Sequence, residues 1–454
     1  MSKKNPFRGK DKKSKTGTPA RGGEKRRRRL PSAIATVTAA VRVLTDEAGT
    51  AARSARRTRG LRRHGRLETL PPDARALCDL AYEGLQPELL ADYHVHVAGV
   101  GTSPTGAFVH PRAHSMRDPR RFVRFAVFRR AYGITDDARA DEQFLSRLLD
   151  CAKWYPSPPR HGLLAFDRFH RPDGSPDLAN TELYVPNGYV FRLAADNPRL
   201  FAPVISVHPQ RPDALEALEH WHAAGGRIVK WLPNVMGINP ASPSCDPFYE
   251  MMRKLGLSLL SHGGTEHALE TDDSLQYLGN PQRLERALSH GVKVIVAHCA
   301  SLGRMPDLKQ RTKKPVPCFD LFMNMMDDPQ WEGLLFGEIS GLVQANRGER
   351  PLRTIMERTD LHERLVNGSD YPIPALRLTI IPRRLARQGF IDTKQRRGLE
   401  AIRAVNPLLF DLVLKRTVRH PETGAQLPAR IFYEHPDLPL ATKSIGESIV
   451  ENAG

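Results

Sequence analysis

The chain has 454 residues, 40% of them apolar, and a formal net charge of +18. That length allows one large α/β domain with appendages, or two domains, around a sizeable core. The charge belongs to a tail: residues 1–68 hold 21 Lys+Arg against 5 Asp+Glu, and the remainder holds 47 against 45, so the body lacks the basic excess expected of a nucleic-acid cleft. No apolar run approaches the roughly 18–20 residues that span a bilayer. The five cysteines form no CxxC pair, which argues against a disulfide framework or a cysteine-rich zinc site and for a reduced, cytoplasmic setting.

Residues 1–29 carry almost no large apolar side chains. Such a composition cannot offset the entropy of ordering. Residues 1–68 are therefore expected to be a largely disordered basic extension, with a helix over part of 30–68. Weak, salt-dependent contact with nucleic acid or an anionic surface is its expected partner chemistry. Arg26–Arg29 followed by the apolar stretch 30–44 gives a faint presequence-like pattern. Pro72 and Asp73 open a helix over 74–85, which leads into an apolar strand over 90–97. Helices are predicted over 122–132 and 142–152, inside a long polar insertion spanning 99–160.

Beyond the insertion an alternation begins. Short apolar runs fall at 162–166, 203–208, 227–232, 257–262, 292–298, 334–339 and 364–367. Amphipathic segments such as 211–224, 248–254, 281–289 and 350–363 lie between most of them. With 90–97 these make eight runs, and β-then-α alternation predicts parallel strands joined by crossover helices. The predicted fold is α/β, a (β/α)8 TIM barrel over 69–415. Helical patterns continue from 377 to 415. Residues 416–454, Pro-rich and irregular, are expected to pack on the barrel or to be partly disordered.

The chemistry gathers where the runs end. The first carries His94 and His96, one residue apart and hence on one face of a strand. The fourth ends at Lys230, the fifth at His262, the sixth at His298 and the eighth at Asp370. Barrel enzymes build their sites at the C-terminal ends of the strands, so these six groups are expected at one mouth. Imidazole and carboxylate are the usual ligands of zinc and related divalent ions. An ion so held lowers the pKa of water, and a neighbouring carboxylate can take the proton. Lysine can join such a site only when uncharged, or when carbamylated to bridge two ions. His208, at the third strand's end, Trp231 and Asn234, just past Lys230, and Glu338, in the seventh strand, are candidate pocket or substrate-binding residues. An inward Glu338 would need a partner. Cys299 is expected to pack on the far side of its strand.

The order HxH, Lys, His, His, Asp along a βα repeat resembles the amidohydrolase superfamily. DYHVH, NGSDYP and the segment 187–209 resemble the branch that includes aminocarboxymuconate semialdehyde decarboxylase and related hydrolases. The resemblance covers about residues 88–415. It implies that His94, His96, His262 and Asp370 bind one divalent metal, with zinc the first choice. It also implies that His298 assists as a second ligand or as acid/base, and that Lys230 bridges a second ion where one is present. The activity implied is hydrolysis of an ester, amide or lactone-type carbonyl of a small molecule by metal-activated water. Non-oxidative decarboxylation on the same site is the alternative. A binding protein acting through residues 1–68 is the alternative of another class. Relatives are often dimers or higher, so the resemblance also allows a homo-oligomer. The 99–160 insertion is expected to be a lid or pocket wall, since barrel specificity resides in the loops after the strands.

Overall fold

The computed structural model of the protein describes residues 67–310 and 314–441. The expected tail, its helix within 30–68 and its presequence-like stretch lie outside the described residues, as do 442–454. The eight apolar runs, rich in the β-branched and aliphatic residues that suit a pleated buried surface, form eight strands. They are β1 Ala91–His96, β2 Arg160–Leu164, β3 Phe201–Val204, β4 Ile228–Trp231, β5 Ser258–His262, β6 Val294–Ala297, β7 Leu335–Glu338 and β8 Leu365–Val366.

Strands β1, β2 and β3 pair side by side, and β4 to β8 pair in chain order, every ladder among them parallel. The two sheets are bridged at both seams. Ile205 pairs in parallel with Val229, its N–H donating to the Ile228 carbonyl at 2.9 Å. Val95 pairs with Tyr371, the Tyr93 N–H donates to the Asn367 carbonyl at 2.9 Å, and the Asp370 N–H donates to the His94 carbonyl at 2.8 Å. The ring of eight is the expected TIM barrel. The β1–β2 register shifts between Asp92 and Val95, a bulge of the kind that re-aims side chains beside functional sites.

Most of the predicted helices appear, including Pro72–Tyr82, Ala140–Lys153, Ala214–Ala223 and Asp246–Leu255. The segment 350–363 splits into an α-helix, Arg350–Glu357, and a tighter 3-10 stretch, Thr359–Arg364. The helix Cys318–Met326, between β6 and β7, has no counterpart among the elements expected from the sequence. Seven of its nine residues are buried, and the polar pair Asp320 and Asn324, one turn apart, leaves only a narrow exposed face.

The C-terminal segment does more than lie on the surface. Tyr433 pairs with Leu90 ahead of β1, and Ala441 pairs with Gly226 ahead of β4. Lys293, ahead of β6, meets Asp437 at 3.0 Å. The carbonyl of Glu363, ahead of β8, lies 3.0 Å from His435 Nε2. The Tyr93 hydroxyl donates to the Leu438 carbonyl and accepts the His435 N–H, both at 2.8 Å. Residues 433–441 thus cap the N-terminal end of the barrel, opposite the end where the histidines lie. Between β2 and β3, Asp167 ties two loops of the histidine end together. Its carboxylate accepts the N–H groups of Arg168 and His208 at 2.8 Å and pairs with Arg211 at 3.1 Å.

Candidate metal centre

The bulge in β1 brings His94 and His96 to one carboxylate. Asp370 Oδ1 lies 3.0 Å from His96 Nε2 and 3.6 Å from His94 Nε2. Lys230 Nζ approaches His94 Nε2 at 3.4 Å. The ring centres of His94 and His298 are 5.1 Å apart, and those of His262 and His298 are 5.4 Å apart. All six residues read from the strand ends border a single cavity of about 270 Å³ at the C-terminal end of the barrel.

The backbone is held in costly shapes to achieve this. Among the described residues, the non-glycine residues with positive φ are His298 (57°), Cys299 (49°), Ala300 (47°) and Asp370 (56°). Each departure costs on the order of 1–3 kcal/mol, and such departures gather at functional sites. Gly368 permits another close approach: a Cβ there would fall 2.5 Å from Glu338 Oε1 and 2.7 Å from His94 Cβ. Cys299 is fully buried, its thiol against the Glu338 carbonyl at 3.5 Å.

Hydrogen bonds fix which ring nitrogen is free. His94 Nδ1 lies 2.9 Å from Glu338 Oε2, so its proton belongs on that side and Nε2 turns a lone pair to the cavity. His298 Nδ1 lies 2.6 Å from the Ser340 hydroxyl, which donates to Glu338 at 2.6 Å. Burial, with Lys230 and the neighbouring imidazoles, pushes His94 well below its ordinary pKa. Burial, with Arg347 and His262, does the same to His298. Burial outweighs Glu266 and holds His262 at about 4. These three rings are neutral near pH 7, the form that ligates metal. Burial also lowers the Lys230 ammonium, partly offset by Asp370, Glu338 and Glu266.

A divalent ion fits between His94, His96 and Asp370. Donor atoms of His94, His96 and Asp370 lie within 4.8 Å of one another. Nε2 of His262 is buried with no hydrogen-bond partner, a cost of about 1–3 kcal/mol if left unmet.

Four sequence candidates do not line the cavity. Glu338 is inward and wholly buried, and it holds His94 and Ser340 rather than facing the open cavity. Trp231 follows Lys230 along β4 and so takes the opposite face. Its Nε1–H donates to the Val207 carbonyl at 2.9 Å and its ring packs on Phe248. Asn234 Nδ2 donates to the Gly264 carbonyl at 3.1 Å, pinning the loop after β5. His208 spends both ring nitrogens on its surroundings, the Met236 carbonyl at 3.0 Å and the Gln210 N–H at 3.2 Å. None of Trp231, Asn234 and His208 borders the cavity. Three residues that the sequence pattern did not single out do border it, namely Glu266, His267 and Arg347. Arg347 is anchored by the Ser301 hydroxyl at 3.0 Å and Gln344 Oε1 at 3.2 Å.

A family model described as Amidohydrolase matches residues 91–387. The chain belongs to the amidohydrolase family. This amidohydrolase is similar in structure to an uncharacterized TIM-barrel protein from Bordetella bronchiseptica, at 16% identity and a TM-score of 0.42, covering 62% of this chain and 86% of that one. It is also similar to a probable 2-pyrone-4,6-dicarboxylic acid hydrolase from Acinetobacter baumannii, at 14% identity and a TM-score of 0.37, covering 63% and 84%. A third similar structure is 2,6-dihydroxybenzoate decarboxylase from Rhizobium, at 13% identity and a TM-score of 0.35, covering 63% and 88%. No curated protein matches the sequence. The amidohydrolase is an enzyme of this family, and its described residues include candidate metal-ligand groups.

Proposed function

We propose that the protein is a metal-dependent hydrolase of an ester, amide or lactone-type carbonyl. One divalent ion, zinc by preference, is held by His94, His96, His262 and Asp370. Lys230, once carbamylated, and His298 would complete a second site. The observation that carries this reading is the set of imidazoles turned on one cavity, with His262 Nε2 buried without a hydrogen bond and Glu266 near it, at 3.6 Å.

When bound, such an ion polarises a carbonyl and brings the pKa of water towards neutrality. The chain's own groups do the rest. Asp370 Oδ1, shared with His96 at 3.0 Å, is the proton acceptor. His298, oriented through Nδ1 by Ser340, offers the lone pair of its other ring nitrogen to take up that proton from Asp370 and pass it on to the leaving group. Arg347 borders the same cavity and binds negative charge, whether a substrate carboxylate or charge that develops on the carbonyl oxygen, and Lys230 joins it there when it stays an ammonium and no second ion is held. Glu338 is a positioning residue acting through His94.

Elemental analysis of the purified full chain is expected to find one or two divalent ions. His94→Ala is expected to lose metal and at least about a thousandfold of its turnover on whichever ester or lactone the enzyme accepts, since the ligand set acts as a unit. Full turnover by a metal-free His94→Ala protein would overturn the reading. In labelled water, the product of hydrolysis gains one solvent oxygen. Release of carbon dioxide without that label would instead assign the decarboxylase reading of the same site.

Residues 1–68, with their basic excess, support a further role in weak contact with nucleic acid or an anionic surface. Deleting them is expected to abolish retention on heparin at low salt and to leave metal content unchanged. Equal retention of both forms would remove that role.

A further inference from the structure

A second chamber, of about 110 Å³, adjoins the polar cavity and shares His96, Asp370, Phe128, Leu269 and Ile373 with it. It lies between the 99–160 insertion, with its helix Pro119–Ala131, and the end of β1 with the loops after β2, β5 and β8, and its walls include Val100, Phe125, Tyr132, Ile134 and Phe144. The charged groups at its edge already have partners. Arg121 meets Glu182 at 3.1 Å, Arg124 meets Glu270 at 2.7 Å, and Arg129 meets Asp137 at 2.5 Å. Asp141 accepts the N–H groups of Val100 and Ser103 at 2.6 and 3.2 Å. Hydrocarbon therefore dominates this chamber, whereas Lys230 and Arg347 border the other. His96 and Asp370 belong to both. An apolar pocket with a few polar groups at one end is the usual form of a small-molecule site.

We propose that the apolar chamber takes a hydrocarbon chain or ring lying close to the reacting carbonyl, so that the substrates are apolar acyl compounds whose polar or anionic end faces Lys230 and Arg347. The proposal rests on the reading of His96 and Asp370 as part of the reaction centre. It makes the insertion, not the barrel, the part that selects the substrate. Burial of each methylene is worth about 0.8 kcal/mol, or roughly fourfold in affinity, until the space is filled.

The test is calorimetric titration of the metal-loaded full chain with acetate, butyrate, hexanoate and octanoate. Affinity is expected to rise roughly fourfold per methylene and then level off. Val100→Phe, which fills the chamber, is expected to end the rise at a shorter chain. Phe125→Ala, which enlarges it, should extend the rise to a longer one, and decides the matter if the first variant does not fold. Affinities that stay flat along the series overturn the proposal, as does a rise that neither variant alters. Because binding is read without turnover, the two readings separate. An inactive protein with the chain-length dependence keeps the chamber and loses the hydrolase, and an active one with flat affinities does the reverse.

Discussion

Glu338 shows how much of the centre depends on residues that never reach its open face. Its carboxylate orients His94 and, through Ser340, His298. Burial raises its pKa, with Lys415 and Ser340 opposing. Glu338→Gln keeps the shape and weakens the acceptor. It is expected to lower metal affinity 10–100-fold with the circular dichroism unchanged, and an unchanged affinity would strip Glu338 of this role. Gly368→Ala should cost about 1–3 kcal/mol by overpacking, seen as a lower melting temperature, because its Cβ would press on Glu338 and His94 together. Asp167 gives a pH signature that involves none of the proposed ligands. Burial raises its pKa, but His170, Arg211 and two backbone N–H groups outweigh that and hold it at about 2, below the ordinary value of an aspartate. A depressed carboxylate stabilises the fold above its unfolded pKa. About 2 kcal/mol should therefore be lost as pH falls from about 4 to about 2. Denaturant titrations of Asp167→Asn should lack that step. At this scale the proposed ligand residues were legible because each closes an apolar run. Trp231 misled for a reason that was also legible, since adjacent residues on a strand face opposite ways. Arg347 was not legible. It stands in a polar loop with Arg350 and Arg353 close by in the chain, and nothing local separates it from a solvated surface arginine.

The strands were legible as elements because a short apolar run bounded by turn residues is too brief for a buried helix and long enough to cross a sheet. Cys318–Met326 was not, because a run of nine residues with only Asp320 and Asn324 polar is too short for its helical spacing to stand out from the apolar background. The insertion helix Pro119–Ala131 has the opposite character. Apolar residues abound in it, yet none is fully buried, since it covers a cavity rather than a core. Arg124, on this helix, pairs with Glu270 in the loop after β5, and both side chains are about 30% exposed. An exposed pair is worth no more than about 1 kcal/mol. Arg124→Ala should hardly move the melting temperature but should raise KM a few-fold by loosening the cover over both chambers. A large loss of stability instead would make the helix part of the framework rather than a cover.

For the whole molecule, the histidine end and the capped end divide the work. One end carries strain, neutral imidazoles and open space. The other is sealed by apolar packing and ordinary hydrogen bonds, with Leu438 and Leu440 fully buried. From the sequence, the C-terminal stretch could be expected on the barrel but not assigned to an end, because pairing between residues far apart in the chain leaves no local pattern. That cap also bears on biosynthesis. The hydroxyl of Tyr93 and the carbonyl of Leu438 are 345 positions apart, and contacts of such separation form late and slowly. A ribosome-bound intermediate would carry the histidine end of the barrel long before its lower rim is shielded, leaving aliphatic surface open to proteases and holding chaperones. A chain stopped at residue 428 is therefore expected to be cleaved by a dilute protease at rates that leave the full chain intact, and equal survival of the two would show that the barrel closes unaided.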